Sequence, residues 1–251
     1  MKYNLKFWKT FYKIRYCPSI TKRQTVEEVK FIKEFLPIKK YKNILDFICG
    51  FGRHSIILAK AGYNIEGFDI DRDSIQQAKN IIQKFKFKNI NLYIEDALKF
   101  QKRDFFDATI CLYSSIGFGD KKSNNKIFKN LFQSVKNKGR IILDVINPEW
   151  ATKNLTPYFE KTILYKERNY FIKHKRKILY NPMREQNIID FLDEKKKREY
   201  STSYILRLIS LEEIKEMLLK NNFKIYKIFG SFNKNKISTN YQRIIIIADK
   251  I

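Results

Sequence analysis

The chain is short of the residues that build metal and disulfide sites. Its 251 residues include 3 cysteines, Cys17, Cys49 and Cys111, an odd number with no Cys-x-x-Cys pair. That argues against a disulfide framework and against structural zinc, so no metal is expected. Cys49 and Cys111 read as small packing residues rather than nucleophiles. Histidine is scarcer still, with only His54 and His174. No apolar run approaches a membrane span; the longest, residues 244–248, has the length of a strand. The opening MKYNLKFWKT has no apolar signal-peptide core. No membrane partner is expected, and a cytoplasmic location is. Glycine numbers 8 in the whole chain and is absent from residues 151–208.

Acidic residues are also few. Against 51 Lys and Arg stand 26 Asp and Glu, a formal charge of +25. One reading is a nucleic-acid partner, because clustered cations neutralise phosphates. The other is compositional: lysine far exceeds arginine, Ile and Asn are plentiful, and together these resemble the output of an AT-rich genome. No arginine-rich tract occurs and the lysines are spread along the chain, which favours the second reading. An anionic small substrate is compatible with both.

What is present is organised around residues 44–71, ILDFICGFGRHSIILAKAGYNIEGFDID. Ile44, Leu45 and Phe47 form a short apolar run that predicts a buried strand. Gly50 and Gly52 follow, and glycine lets a backbone turn sharply and approach a ligand. A Cβ at Gly52 is expected to meet the ligand or to forbid the turn. Residues 54–60 read as a helix stopped by Gly62, and residues 64–68 as a second strand ending at Asp69. This is one βαβ half of a nucleotide-binding sheet, with an acidic residue placed to accept from ribose hydroxyls. The dinucleotide fingerprint needs a third glycine. Ser55 stands there, which disfavours a pyrophosphate.

At these residues the sequence resembles a known family. Asp46-Phe47-Ile48-Cys49-Gly50-Phe51-Gly52-Arg53-His54-Ser55, then Ala61-Gly62-Tyr63 and Gly67-Phe68-Asp69, is similar to the first motif of class I S-adenosylmethionine-dependent methyltransferases. The likeness is greatest to the bacterial small-molecule branch. A departure is Ile48, where many members have a small residue, often Gly or Ala. The resemblance implies an α/β fold: a Rossmann-like seven-stranded sheet with helices on both faces and its last strand inserted antiparallel. It also implies S-adenosylmethionine as cofactor, with Asp46, Cys49, Gly50, Gly52, Arg53, Asp69, Ile70, Asp96, Ala97 and Tyr113 binding it. Asp96 would contact the adenine amino group.

Along the chain, residues 1–40 form an expected helical lid. Phe7, Trp8, Phe11, Tyr12, Ile14 and Tyr16 give an aromatic face that either docks on the sheet or lids the cofactor. Thr25 and Glu28 read as a capping box opening a helix that Pro37 ends. Residues 41–150 are the cofactor-binding core, with helices over 74–85 and 125–135, strands over 90–94, 107–112 and 140–145, and turns at 138–139 and 146–150. The segment Tyr113-Ser114-Ser115-Ile116-Gly117-Phe118 resembles the family's stretch lining cofactor and acceptor. It lacks the Asn-Pro-Pro-Tyr type signature of adenine methylases and the Pro-Cys of cytosine-5 enzymes, which argues against base methylation in DNA. Residues 151–208 alternate with period two and predict an antiparallel β insert covering the acceptor, with lysines at 173–177 and 195–197 as hairpin tips. Residues 200–208 are expected to return to the core. Residues 209–251 add a helix capped by Ser210 and two closing strands.

Methyl transfer from a sulfonium is an in-line displacement, so positioning dominates and no fixed triad is expected. Catalytic candidates are Tyr12, Tyr113 and His174, the last also readable, and preferably so, as a surface strand residue. His54 is expected to fix the first-helix turn. Acceptor-side candidates are Trp8, Tyr12, Ser115, Phe118, Glu149 and Arg207. The expected activity is N- or O-methylation of a small molecule. An RNA methyltransferase and a non-catalytic S-adenosylmethionine-binding protein are the alternatives. The sequence says nothing of oligomeric state.

Overall fold

A computed structural model describes residues 21–165, 168–193, 195 and 197–251. The aromatic segment with Trp8 and Tyr12, and Cys17 after it, lies outside the described residues. Helix α1 (Lys22–Phe35) precedes the sheet. The core then runs β1 (Asn43–Phe47), α2 (Arg53–Lys60), β2 (Asn64–Asp69), α3 (Arg72–Lys84), β3 (Ile90–Ile94), β4 (Phe106–Cys111), α4 (Lys121–Gln133), β5 (Val135–Ile146) and α5 (Pro148–Asn154). Four strands follow, β6 (Tyr158–Tyr165), β7 (Arg168–Leu179), β8 (Arg184–Asp193) and β9 (Arg198–Arg207), and the chain closes with α6 (Leu211–Lys220), β10 (Phe223–Phe229) and β11 (Arg243–Lys250).

The main sheet has the order β10-β11-β5-β4-β1-β2-β3, and β6-β7-β8-β9 form a separate antiparallel sheet. Strands β3, β2, β1, β4 and β5 pair in parallel, while β11 pairs antiparallel with both β5 and β10. The order reverses at β1, and the neighbouring β1 and β4 ends form the crevice where ligands of such sheets sit. Strand β11 shows why the apolar run belongs here. Ile244, Ile246 and Ala248 face one core, Ile245 and Ile247 the other. A run without alternation fits a strand covered on both faces.

Several boundaries differ from the sequence reading. Thr21, not Thr25, caps α1, its side chain accepting from Gln24 N at 3.0 Å. Thr25 and Glu28 are instead buried within the helix. Asp71 caps α3, so that helix starts at Arg72. Residues 146–150 are not a simple turn: Asn147 caps the short helix α5. The turn at 138–139 is a bulge within β5, where the pairing jumps from Val135 to Arg140 and Lys138 has φ 62°. Residues 198–207 are the last strand of the insert sheet, and the end of that strand makes the return to the core, Leu206 bridging to Phe118 and Arg207 N donating to the Gly117 carbonyl at 2.9 Å. Lysines 173–177 are no hairpin tip: they lie inside β7, with Lys173, Lys175 and Lys177 outward and His174 buried between them.

Candidate active site

The turn after β1 holds Ile48 at φ 61°, Gly50 at 57° and Gly52 at 69°. Gly50 N donates to Asp69 Oδ2 at 2.9 Å, and Asp71 N donates to Asp69 Oδ1 at 2.9 Å. Asp69 is thus held at the β1–β2 edge by two backbone donors. Burial nevertheless raises its carboxyl to about 6, with Asp71 and Asp46 adding to the rise. Asp46 is buried one strand over and accepts from Ser55 Oγ. Burial also raises its carboxyl.

The geometry explains the departure at Ile48. A β-branched residue in the left-handed region costs on the order of 1–3 kcal/mol. Glycine there removes that cost, and Ile48 offsets it by packing its side chain against the core. At Gly52 the turn itself asks for glycine, since its φ of 69° is strained for any side chain. A Cβ on it would also come within 2.5 Å of Leu92 Cδ1, so close packing of α2 on the sheet is a second requirement.

A second layer ties α1 to this turn. Glu28 accepts from Tyr113 Oη at 2.6 Å, lies 2.8 Å from His54 Nε2, and pairs with Arg53 Nη1. Burial alone would raise Glu28; the hydrogen bond from His54 and the charge of Arg53 overcome it and hold the carboxyl at about 2. His54 therefore fixes the start of α2, as its position suggested, through a carboxylate 26 residues earlier. The Tyr113 ring lies between two guanidinium groups, Arg53 at 4.3 Å and Arg243 at 4.2 Å from its centroid. Such contacts are attractive because the ring face is electron-rich. Arg243 in turn reaches both oxygens of buried Asp144 at 2.8 and 2.7 Å. Tyr113 and Ser114 both have positive φ, 61° and 52°, and are pinned by Asp144, which accepts from Tyr113 N at its carboxylate and from Ser114 N at its backbone carbonyl. Burial, then the bond to Glu28, pushes the Tyr113 phenol up to about 12.

Between the sheet edge and the insert lies a cavity of about 420 Å³. Asp46, Cys49, Gly50, Arg53, Asp69, Ile70, Asp96, Ala97 and Tyr113 line it, as do Ser115 and Phe118. Gly52, Glu149 and Arg207 do not. Glu149 is exposed in the first turn of α5, and Arg207 is paired with Glu213. The insert supplies the roof: His174, Arg176, Glu185, Asn187, Tyr204 and Leu206. His174 is 1 % exposed, with Nε2 2.7 Å from Asn187 Oδ1, so the surface reading of this residue is corrected. Asp71, Ser114, Arg176, Glu185, Asn187 and Arg243 were not singled out from sequence. The two-residue alternation on β7 and β8 could have grouped Arg176 with His174, and Glu185 with Asn187.

The wall also carries unmet polar capacity. Arg53 Nη2, Asp71 Oδ1 and Ser114 Oγ are buried without a hydrogen-bond partner among the described residues. Unpaired buried polar atoms are costly unless a ligand completes them. A guanidinium, a carboxylate and a hydroxyl around one cavity suit a ligand with a charged amino-acid end and a diol.

The sequence matches the family described as Methyltransferase domain over residues 38–187. The chain belongs to this family, in the S-adenosylmethionine-dependent class. It is 22% identical over 231 residues to the putative methyltransferase YqeM of Bacillus subtilis, covering 88% of each chain. An 82-residue stretch, 32% of this chain and 22% of the relative, is 33% identical to an uncharacterized RNA methyltransferase of Mycoplasma mobile. A crystal structure of an S-adenosylmethionine-dependent methyltransferase from Clostridium acetobutylicum superposes with a TM-score of 0.78 at 16% identity, covering 98% of both chains. S-adenosylmethionine-bound CalS10, an amino pentose methyltransferase from Micromonospora echinaspora, gives 0.71 at 15% identity over 96% of this chain and 97% of its own. The methyltransferase fold accounts for the sheet order and the inserted antiparallel strand.

Proposed function

We propose that this methyltransferase transfers a methyl group to a nitrogen or oxygen of a small-molecule acceptor, bound between residues 113–118 and the underside of the insert. The observation that carries the reading is the continuity of one cavity from Asp69 at the sheet edge to the roof of β7 and β8. The cavity is lined largely by charged and polar side chains, with Ile48, Ala97, Leu112, Phe118, Ile146 and Leu206 between them, which suits a compact polar ligand held through many directed contacts. A nucleic-acid track needs exposed stacking rings interleaved with phosphate-spaced cations.

S-adenosylmethionine, when bound, supplies a methyl group already activated on a sulfonium. Asp69 would hold the ribose, Asp96 and Ala97 the adenine, and Gly50 with Arg53 the amino-acid end. Residues 41–150 and 209–251 are the cofactor-binding unit, and residues 151–208 select the acceptor. We place the protein in the cytoplasm.

The chain's own groups then position the acceptor. The Tyr113 phenol, pushed up to about 12, stays protonated near neutral pH and donates to Glu28, while Asp144 holds the 113–114 backbone. His174 is the other candidate for handling the acceptor's proton: it lines the roof of the cavity, with Nε2 2.7 Å from Asn187 Oδ1. An amine acceptor must lose its proton before attack, and a hydroxyl during it.

The test is mass spectrometry of the purified chain with S-adenosylmethionine and a panel of amino and hydroxyl compounds. A mass gain of one methyl on a small molecule supports the reading. Methylation of RNA alone, with steep salt dependence, overturns it.

A further inference from the structure

The roof contains a charge pair that nothing in methyl transfer requires. Arg176 on β7 and Glu185 on β8 lie on the inward face of the insert, Nε to Oε1 at 2.8 Å, with side chains 15% and 4% exposed. Both line the cavity. Holding an ion pair largely out of solvent is costly, and apolar residues of similar size would close the insert as well or better. Its neighbours show that the insert can do this, since Ile163, Ile172, Ile189 and Phe191 form an apolar cluster further along the same sheet.

The pairing geometry leaves Arg176 half used. Glu185 takes the Nε edge, and the two outer nitrogens have no hydrogen bond among the described residues. A guanidinium oriented through one edge presents its remaining donors as a planar fork, the arrangement that grips a carboxylate or phosphate through two parallel bonds. Glu185 keeps the fork aimed while it waits, and neutralises it when the cavity holds no anion. Beside it, the His174–Asn187 pair adds polar contacts on the same face.

We propose that Arg176 is the anchor for an anionic group of the acceptor, a carboxylate or a phosphate, and that Glu185 is its positioning residue. The substrate class is then an amine or alcohol that also carries an oxyanion. This rests on the methyltransferase reading of the cavity, and the two are separable because cofactor binding is measured first.

The experiment uses the full chain saturated with S-adenosylhomocysteine, whose binding is established by calorimetry. Inorganic phosphate and acetate are then titrated separately at constant ionic strength against chloride, with melting temperature as readout. A highly basic surface makes every anion mildly stabilising, so the comparison is with Arg176→Gln. The expected result is a saturable rise in melting temperature for one anion. In Arg176→Gln its half-saturation moves up by about tenfold or more, the range for losing hydrogen bonds to a charged group, while cofactor affinity is unchanged. Which anion saturates decides between phosphate and carboxylate. Should Arg176→Gln fail to fold because Glu185 is left alone, the double change Arg176→Gln with Glu185→Gln removes the unpaired charge and is used instead. Identical anion responses in wild type and variant overturn the anchor. So does an equal loss of S-adenosylhomocysteine affinity, which would move Arg176 to the cofactor. Failure to bind S-adenosylhomocysteine at all would strike the methyltransferase reading instead.

Discussion

Glu28 and Tyr113, 85 residues apart, meet at 2.6 Å under the first helix, and the tyrosine ring is held between Arg53 and Arg243. The pair joins α1, the glycine turn, the loop after β4 and β11 at one point. Glu28 is buried and Tyr113 half-buried, so loss of the carboxylate is felt through the uncompensated cations left behind.

Glu28→Ala is therefore expected to destabilise the protein by about 3–5 kcal/mol, read from urea unfolding. Its pH signature follows from the sign of the shift. Glu28 is held at about 2 against an ordinary 4.5. Its contribution is fully present above 4.5 and is lost as pH falls from 4.5 through about 2. The wild type should lose stability across that window and Glu28→Gln should lose less. Parallel curves would show that the fold does not hold the Glu28 carboxyl below its ordinary range.

Gly52→Val is expected to lower stability first and cofactor affinity only as a consequence. The added Cβ meets Leu92 at 2.5 Å and sits at φ 69°. Leu92→Ala alone should cost about 2–5 kcal/mol because Leu92 is core; adding Gly52→Ala to it should cost only the backbone strain of about 1 kcal/mol or more, less than Gly52→Ala costs in the wild type. If Gly52→Val keeps wild-type stability but cannot bind S-adenosylhomocysteine, the glycine faces the ligand after all.

Lys173, Lys175 and Lys177 project from the outer face of β7, away from the cavity. Changing all three to Gln should leave cofactor affinity unmoved and stability within about 0.5 kcal/mol per site. Loss of methyl transfer with a steep salt dependence would instead mark this face as a polyanion track.

Much of the core was legible because each strand carries its own signature. The Ile-Ile-Ile-Ile run names a strand covered on both sides, and the two glycines after Phe47 name the ligand turn. Asp69 was found because it is the acidic residue that ends the second strand after a glycine turn. Glu28 was read as a cap because Thr-x-x-Glu fits one locally. The competing fact, that Arg53, His54 and Tyr113 converge on it, exists only in three dimensions. His174 and its neighbours were misread for a related reason. Period two says which residues share a face, but not which face meets the core, and the lysines between them suggested solvent.

Asp69 carries the central claim, that this turn holds S-adenosylmethionine by its ribose. The most direct test is calorimetry of S-adenosylhomocysteine binding to the wild type and to Asp69→Ala across pH. Burial raises the Asp69 carboxyl to about 6 in the free protein, and a bound diol favours the ionised form. Affinity should therefore be steady above that value and fall as pH drops through about 6. Asp69→Ala should bind about 1.5–3 kcal/mol more weakly at neutral pH, and should lose that pH dependence. No binding by the wild type, or equal affinity of the two proteins at every pH, would contradict the account.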